Sequence, residues 1–263
     1  MQIEQILQSS IKESFGRYQQ IKRVGRGGMG EVWLCEDTLL HRQVAIKTLP
    51  LHSQQDQDYE ARFEREAQAA AALNHPHILP VHDYGRQPLP HGQLMSYLVM
   101  PYVAGGSLAD MIRRLASKRQ GIEQDKALLF LEQAADAIDH AHTQGMVHRD
   151  IKPANMLLRS NDWLLLTDFG VVHIVSSNDD FTEKGMMVGT PIYMAPEQAR
   201  GHAEAASDTY SLAVIAYQFF VGRPPFQAET SLATIMQHVA LPPPAPRQFH
   251  PDLPAACEEV LLR

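Results

Sequence analysis

The chain has 263 residues, 44% hydrophobic and 20% charged, with a formal net charge of −7 at pH 7. That length can build one large domain or two lobes sharing a cleft, and the acidic balance leaves no basic footprint for nucleic acid or an anionic membrane surface. Two cysteines, Cys35 and Cys257, are too few for a disulfide scaffold and suit a reducing, cytoplasmic setting; no signal peptide opens the chain, and the longest apolar stretch, 212–221, is too short to cross a bilayer.

The first predicted element is an amphipathic helix over residues 1–15, where Ile3, Ile6, Leu7, Ile11 and Phe15 recur at spacings of three and four, inside an N-terminal extension of residues 1–17. Residues 17–24, 31–37 and 43–49 alternate or run β-branched between turn signals and are predicted strands. One helix interrupts them: residues 59–73 are rich in Ala, Glu, Arg and Gln and stop at Asn74-His75-Pro76. Beyond Gly105-Gly106, helices are predicted over 107–116, 125–144, 207–221, 232–239 and 255–263, with a proline-rich connector at 242–254. The helix over 125–144 carries its apolar stripe through Leu128, Leu131, Ala135, Ile138 and Ala141. On the same helix His140 and His142 stand two apart and project in different directions, which argues against a shared metal. The order implies an α+β protein, a β-rich lobe over 18–103 followed by a mainly helical lobe over 104–263.

Three motifs carry chemistry. Gly25-Arg26-Gly27-Gly28-Met29-Gly30-Glu31-Val32 fits G-x-G-x-x-G-x-V, whose glycines let backbone amides approach phosphate oxygens. A dinucleotide site would need a helix after the last glycine; here Glu31–Cys35 alternates as a strand, so the loop joins two strands as a flap. Val44-Ala45-Ile46-Lys47 is a buried-looking strand ending in a lysine, and Glu66, inside the 59–73 helix, is placed to pair with it and aim the ammonium at the α- and β-phosphates. Glu60 and Glu64 are the alternatives if the register slips, and both are expected to face water. The most specific cluster is His148-Arg149-Asp150-Ile151-Lys152-Pro153-Ala154-Asn155, followed by Asp168-Phe169-Gly170. In this pattern Asp150 orients an acceptor hydroxyl and takes its proton, Lys152 neutralises the γ-phosphoryl in flight, and Asn155 with Asp168 holds Mg²⁺.

With these motifs in this order, the chain from Tyr18 onward resembles the protein kinase family. Ala195-Pro196-Glu197 matches the close of the family's activation segment, and Asp208 matches a buried aspartate that tethers the backbone around His148 and Arg149. Lys152 with Thr190 is the Ser/Thr pattern, Thr190 bridging Asp150 and Lys152, and the wording around the glycine loop and Ala-Pro-Glu is similar to the bacterial Hanks-type branch. The resemblance implies ATP with Mg²⁺, or Mn²⁺ in its place. Adenine is expected against Val32 and Ala45 on one side and Leu157 on the other, with Thr167 at the back, Met100 at the rear pocket, and Pro101 and Val103 as the hinge groups. Pro101 stands where many relatives have Glu; the family uses that residue's carbonyl, so the missing N–H is tolerable.

The resemblance also implies protein substrates bearing Ser or Thr, a homodimer for autophosphorylation, and a switch in which phosphorylated Thr182 engages Arg149. Ser176 and Ser177 are further acceptors in that segment. Relatives supply an arginine for Glu197 from a segment past the position of Arg263, so the helical lobe is expected to be cut short here, unless another residue substitutes. Two other classes are open at this point. A nucleotide-binding pseudokinase or scaffold would have lost Lys47, Asp150 or Asp168, and a small-molecule kinase generally lacks Lys152 and the Ala-Pro-Glu segment.

Overall fold

The computed structural model describes residues 14–27, 30–49, 52–53, 57–89, 93–169 and 191–262. The chain divides into two compact units, one formed by residues up to Ala72 together with Pro80–Tyr102, the other by Leu73–Leu79 and the chain from Val103 onward. The first is β-rich and the second mainly helical, the α+β order expected.

In the first unit the strands are β1 (Ser14–Phe15), β2 (Tyr18–Gly27), β3 (Gly30–Asp37), β4 (Arg42–Thr48), β5 (His52–Ser53), β6 (Asp83–Pro88) and β7 (Gln93–Pro101). They form one antiparallel sheet in the order β1-β2-β3-β4-β7-β5, with β6 also on β7. The helix predicted over 1–15 is corrected where it can be checked, since Ser14 and Phe15 are strand, paired with Gln19 and Tyr18. Gly16, at φ 57, supplies the left-handed turn residue, and Phe15 is buried against the Tyr97 ring at 5.4 Å. An apolar stripe at helical spacing lost here to a tight turn and an aromatic pair.

Strand alternation sorts the sheet into two faces. Cys35, Val44, Ile46, Tyr97 and Val99 join Phe15 and Tyr18 in one buried cluster. The intervening residues, Val32, Leu34, Ala45, Lys47, Leu98 and Met100, share the opposite face, and the register sets Val32, Lys47 and Leu98 side by side, then Leu34, Ala45 and Met100. Helix α1 (Gln57–Ala72) buries Tyr59, Phe63, Ala67 and Ala70, residues four or three apart, with Phe63 edge-on to Tyr84.

The second unit contains α2 (Leu108–Ser117), α3 (Gln124–Thr143), the hairpin β8 (Met156–Ser160) and β9 (Trp163–Leu166), then α4 (Ala205–Val221), α5 (Ser231–Ala240) and α6 (Ala255–Leu261). Ser107 caps α2 in a reciprocal box with Asp110. Helix α3 buries Ala127, Phe130, Ala134, Ala137, Ile138 and Ala141, so the predicted stripe holds at Ile138 and Ala141 and is displaced earlier: Leu128 is half exposed and Ala135 faces solvent. Both stripes fit a 3.6-residue period. The bulk of Phe130, whose burial is worth about 1.5–3 kcal/mol, decides which turns inward. Gln133 on the same face ties α3 to the hairpin, its Nε2 donating to Asp162 O at 2.8 Å and its Oε1 accepting from Leu164 N at 2.7 Å. Gly105 admits close backbone approach, because a Cβ there would meet Leu158 O at 2.0 Å. At the far end Val260 on α6 and Leu262 just past it are exposed.

Candidate active site

The first unit positions its share of the predicted residues through the sheet register. Val32, Ala45, Lys47 and Met100 lie on one face of three adjacent strands, Lys47 is buried, and Pro101 ends β7 opposite Val44. Gly25 and Gly27 pair with Val32 and Gly30 across the turn from β2 to β3. Gly30 sits at φ 124, and a Cβ there would lie 1.8 Å from Thr48 O, so no other residue fits. Thr48 Oγ1 accepts from Glu31 N at 3.1 Å and pins the base of the loop to β4. Gly28 falls outside the described residues.

The three acids of helix α1 have different surroundings. Arg86 on β6 pairs with both Glu64 and, at 3.5 Å, Glu60. Glu64 is exposed, as expected, and Glu60 is half-buried, and both meet the Arg86 cation rather than standing free in water. Glu66 lies on a different side of the helix with its side chain only 15% exposed, and Arg65 is 3.6 Å from it.

In the second unit the segment from His148 to Asn155 is shaped by bonds to its backbone. Asp208, on α4 and 1% exposed, accepts from His148 N at 2.8 Å and Arg149 N at 2.8 Å, with His142 Nε2 at 2.9 Å as third partner. Asp150 N donates to His148 Nδ1 at 3.2 Å, which leaves the His148 proton on Nε2, aimed at Thr167 O at 2.8 Å. Arg149 and Asp168 hold left-handed backbones at φ 67 and φ 74, conformations costly for residues with a Cβ and persisting only where neighbours over-determine them.

The outcome is a supported carboxylate. Asp150 Oδ2 accepts from Lys152 Nζ at 2.6 Å and Asn155 Nδ2 at 2.9 Å, and Asn155 Nδ2 also reaches Asp150 O at 2.8 Å. Asn155 thus spends its amide nitrogen on Asp150 and keeps its amide oxygen as an acceptor, while its backbone O takes Thr167 N at 2.9 Å, next to Asp168. An amide oxygen beside one carboxylate is the sparse protein donor set that Mg²⁺ accepts when phosphate oxygens and water complete its shell. Leu157 and Thr167 flank this region on β8 and just past β9, and Val103 follows β7. Phe169 is buried, its ring 4.6 Å from the His148 ring.

Gly170, Ser176, Ser177, Thr182 and Thr190 fall outside the described residues. From Pro191 the chain is again defined. Tyr193 OH donates to Gln218 at 2.8 Å, and burial pushes that hydroxyl up to about 12, so it remains a neutral donor. Glu197 accepts from Ser207 Oγ at 2.5 Å, so a hydroxyl from α4 meets the glutamate that relatives serve with an arginine, the substitution the sequence left open. Two supports were missed in the sequence: His142, whose helical position gave no sign of Asp208, and Gln198, an amide in a loop.

The protein kinase domain model matches residues 18–259. Serine/threonine-protein kinase PknA of Mycobacterium tuberculosis strain H37Rv is 40% identical over 247 residues, 94% of this chain and 56% of that protein. PknB of Mycolicibacterium smegmatis is 38% identical over 249 residues, 94% of this chain and 39% of the relative, so the chain spans about half or less of these relatives' length. Among solved structures, the kinase domain of M. tuberculosis PknI is similar with a TM-score of 0.69 and 33% identity, over 95% of this chain and 88% of that one. Sequence, fold and the supported Asp150 carboxylate agree: the chain belongs to the protein kinase family, among relatives named as bacterial serine/threonine-protein kinases.

Proposed function

We propose that this chain transfers the γ-phosphoryl group of ATP to serine and threonine hydroxyls of proteins, itself included. The observation that carries the reading is the Asp150 carboxylate, held between Lys152 Nζ at 2.6 Å and Asn155 Nδ2 at 2.9 Å on a backbone clamped by Asp208. An acceptor hydroxyl donates to Asp150 and yields its proton as the new P–O bond forms and the bond from the γ-phosphorus to the β–γ bridging oxygen breaks to leave ADP, and Lys152 moves from Asp150 to the transferring phosphoryl oxygens. Asn155 Oδ1 and Asp168 would hold Mg²⁺, or Mn²⁺ in its place, and the ion would neutralise phosphate charge. Lys47, oriented by Glu66, holds the α- and β-phosphates. The glycine loop (Gly25, Gly27, Gly28, Gly30) covers them, and Val32, Ala45, Met100, Pro101, Val103, Leu157 and Thr167 receive the adenine.

The reading extends to regulation. Arg149 Nε is buried and meets no acceptor among the described residues, a cation suited to a phosphate on Thr182 that orders the segment. Thr190 bridges Asp150 and Lys152, and two copies meet to phosphorylate one another in the cytoplasm. No helix among the described residues is long and apolar enough to cross a membrane. No observation favours a pseudokinase, because Lys47, Asp150 and Asp168 are all present.

The test is phosphopeptide mapping after incubation with ATP and Mg²⁺, with a generic basic protein as second acceptor. Phosphoserine and phosphothreonine are expected on both, with Thr182 modified and Thr182→Ala slower. No label on either protein would overturn the activity; label elsewhere with Thr182 unmodified would remove the switch alone.

A further inference from the structure

We infer that Gln198 is a positioning residue for the reaction, holding the peptide that aims Asp150; the inference rests on the proposed kinase activity. Gln198 opens a short 3₁₀ turn, Gln198–Arg200, directly after Glu197. Its side chain is half-buried, with both ends of its amide engaged: Nε2 donates to Arg149 O at 2.8 Å, and Oε1 accepts from Ala195 N at 2.9 Å. One group thus links the fully buried Ala195 to the backbone directly before Asp150.

The carbonyl that Gln198 holds belongs to the Arg149–Asp150 peptide. The N–H of that same peptide donates to His148 Nδ1, and the preceding N–H, of Arg149, donates to Asp208 Oδ1. The left-handed turn at Arg149 is therefore held at three backbone groups, the Arg149 N–H, the Arg149 carbonyl and the Asp150 N–H, and Gln198 supplies the only donor to the carbonyl among the described residues. Rotation of this peptide turns the Asp150 Cα–Cβ bond and moves the carboxylate away from Lys152 and Asn155. A free surface glutamine would have no reason to use both ends of its amide, and neither leucine, asparagine nor ionised glutamate meets this pair of demands. Leucine has neither end, asparagine is one methylene short, and ionised glutamate sets an anion against the Arg149 carbonyl. A protonated glutamic acid does satisfy both, its O–H donating to Arg149 O and its carbonyl accepting from Ala195 N.

That asymmetry makes the test. Gln198→Leu and Gln198→Glu are compared with the wild-type chain in kcat and KM for ATP between pH 5.5 and 8.5, in melting temperature, and in amide hydrogen exchange over residues 148–151. Gln198→Leu is expected to lower kcat about 10- to 100-fold with KM for ATP within about twofold, and to speed exchange at Asp150 about tenfold. Gln198→Glu should match it at pH 8.5 and regain activity, relative to wild type, as pH falls and the acid protonates. Should Gln198→Leu fail to fold, this acid recovery in Gln198→Glu remains decisive. Wild-type kcat in Gln198→Leu, or a pH-independent ratio in Gln198→Glu, overturns the inference. If the wild-type chain transfers no phosphate, the kinase reading fails, and the exchange arm still decides whether Gln198 holds this peptide.

Discussion

Removing the Asp208 carboxylate takes the acceptor from two backbone amides at once. His148 N and Arg149 N both end on it at 2.8 Å in a place where Asp208 is 1% exposed, so Asp208→Ala leaves one buried and one part-buried donor unmet. Each stranded donor costs about 1–3 kcal/mol, which makes about 2–6 kcal/mol in total. For a unit of this size 1 kcal/mol moves the melting temperature about 2–4 °C, so a fall of roughly 5–20 °C is expected. Asp208→Asn should fall between the two, because its amide oxygen still accepts one bond while its NH₂ opposes the second donor. His142→Ala is the internal control: it removes the 2.9 Å contact to Asp208 but leaves both amides satisfied, and should cost about 1 kcal/mol. Calorimetry with parallel initial rates decides it, since the Asp208 variants should lose turnover out of proportion to the fraction unfolded. If Asp208→Ala melts within a degree of wild type, with unchanged rates, the tether is not what shapes this loop.

Two further outcomes follow from the same geometry. Glu66→Ala should lower kcat/KM about 10- to 100-fold, whereas Glu60→Ala and Glu64→Ala, whose partner is Arg86, should change it less than about twofold; equal losses in all three would remove the Glu66 assignment. The cap on α2 is acid-sensitive: bonds from the Ser107 hydroxyl and then its backbone N–H hold the Asp110 carboxyl below the usual carboxylate range. A depressed folded value means stability that is present above the unfolded value of about 3.9 and lost as pH falls through the folded value. The difference in melting temperature between wild type and Asp110→Asn should therefore shrink as pH drops from 7 to about 3, and a constant difference would refute the capping role.

The proposed reactive positions could be named from the sequence because phosphoryl transfer restricts their chemistry. Asp150, Lys152 and Asn155 cluster as read, and Lys47 sits buried on the face with Val32, Ala45 and Met100, an arrangement that strand alternation already implied. What escaped was set by distant packing. Leu128 and Phe130 serve equally well as members of an apolar stripe until neighbours choose between them. Phe15 reads as helical until the turn at Gly16 and the Tyr97 ring are known. The partners of Glu60, Glu64 and Glu197 lie on other elements, where a hydroxyl or guanidinium leaves no local mark.

The central claim is that Asp150 receives the acceptor's proton while other residues hold the nucleotide. The direct test is Asp150→Asn under saturating ATP and Mg²⁺, with nucleotide affinity measured separately by titration. Asparagine keeps the shape and an oxygen for Lys152 but cannot take the proton. Turnover is expected to drop about 10²–10⁴-fold with ATP affinity within a few-fold of wild type, whereas Asp168→Asn should weaken Mg²⁺-dependent ATP binding as well. Turnover by Asp150→Asn within a few-fold of wild type would contradict the account.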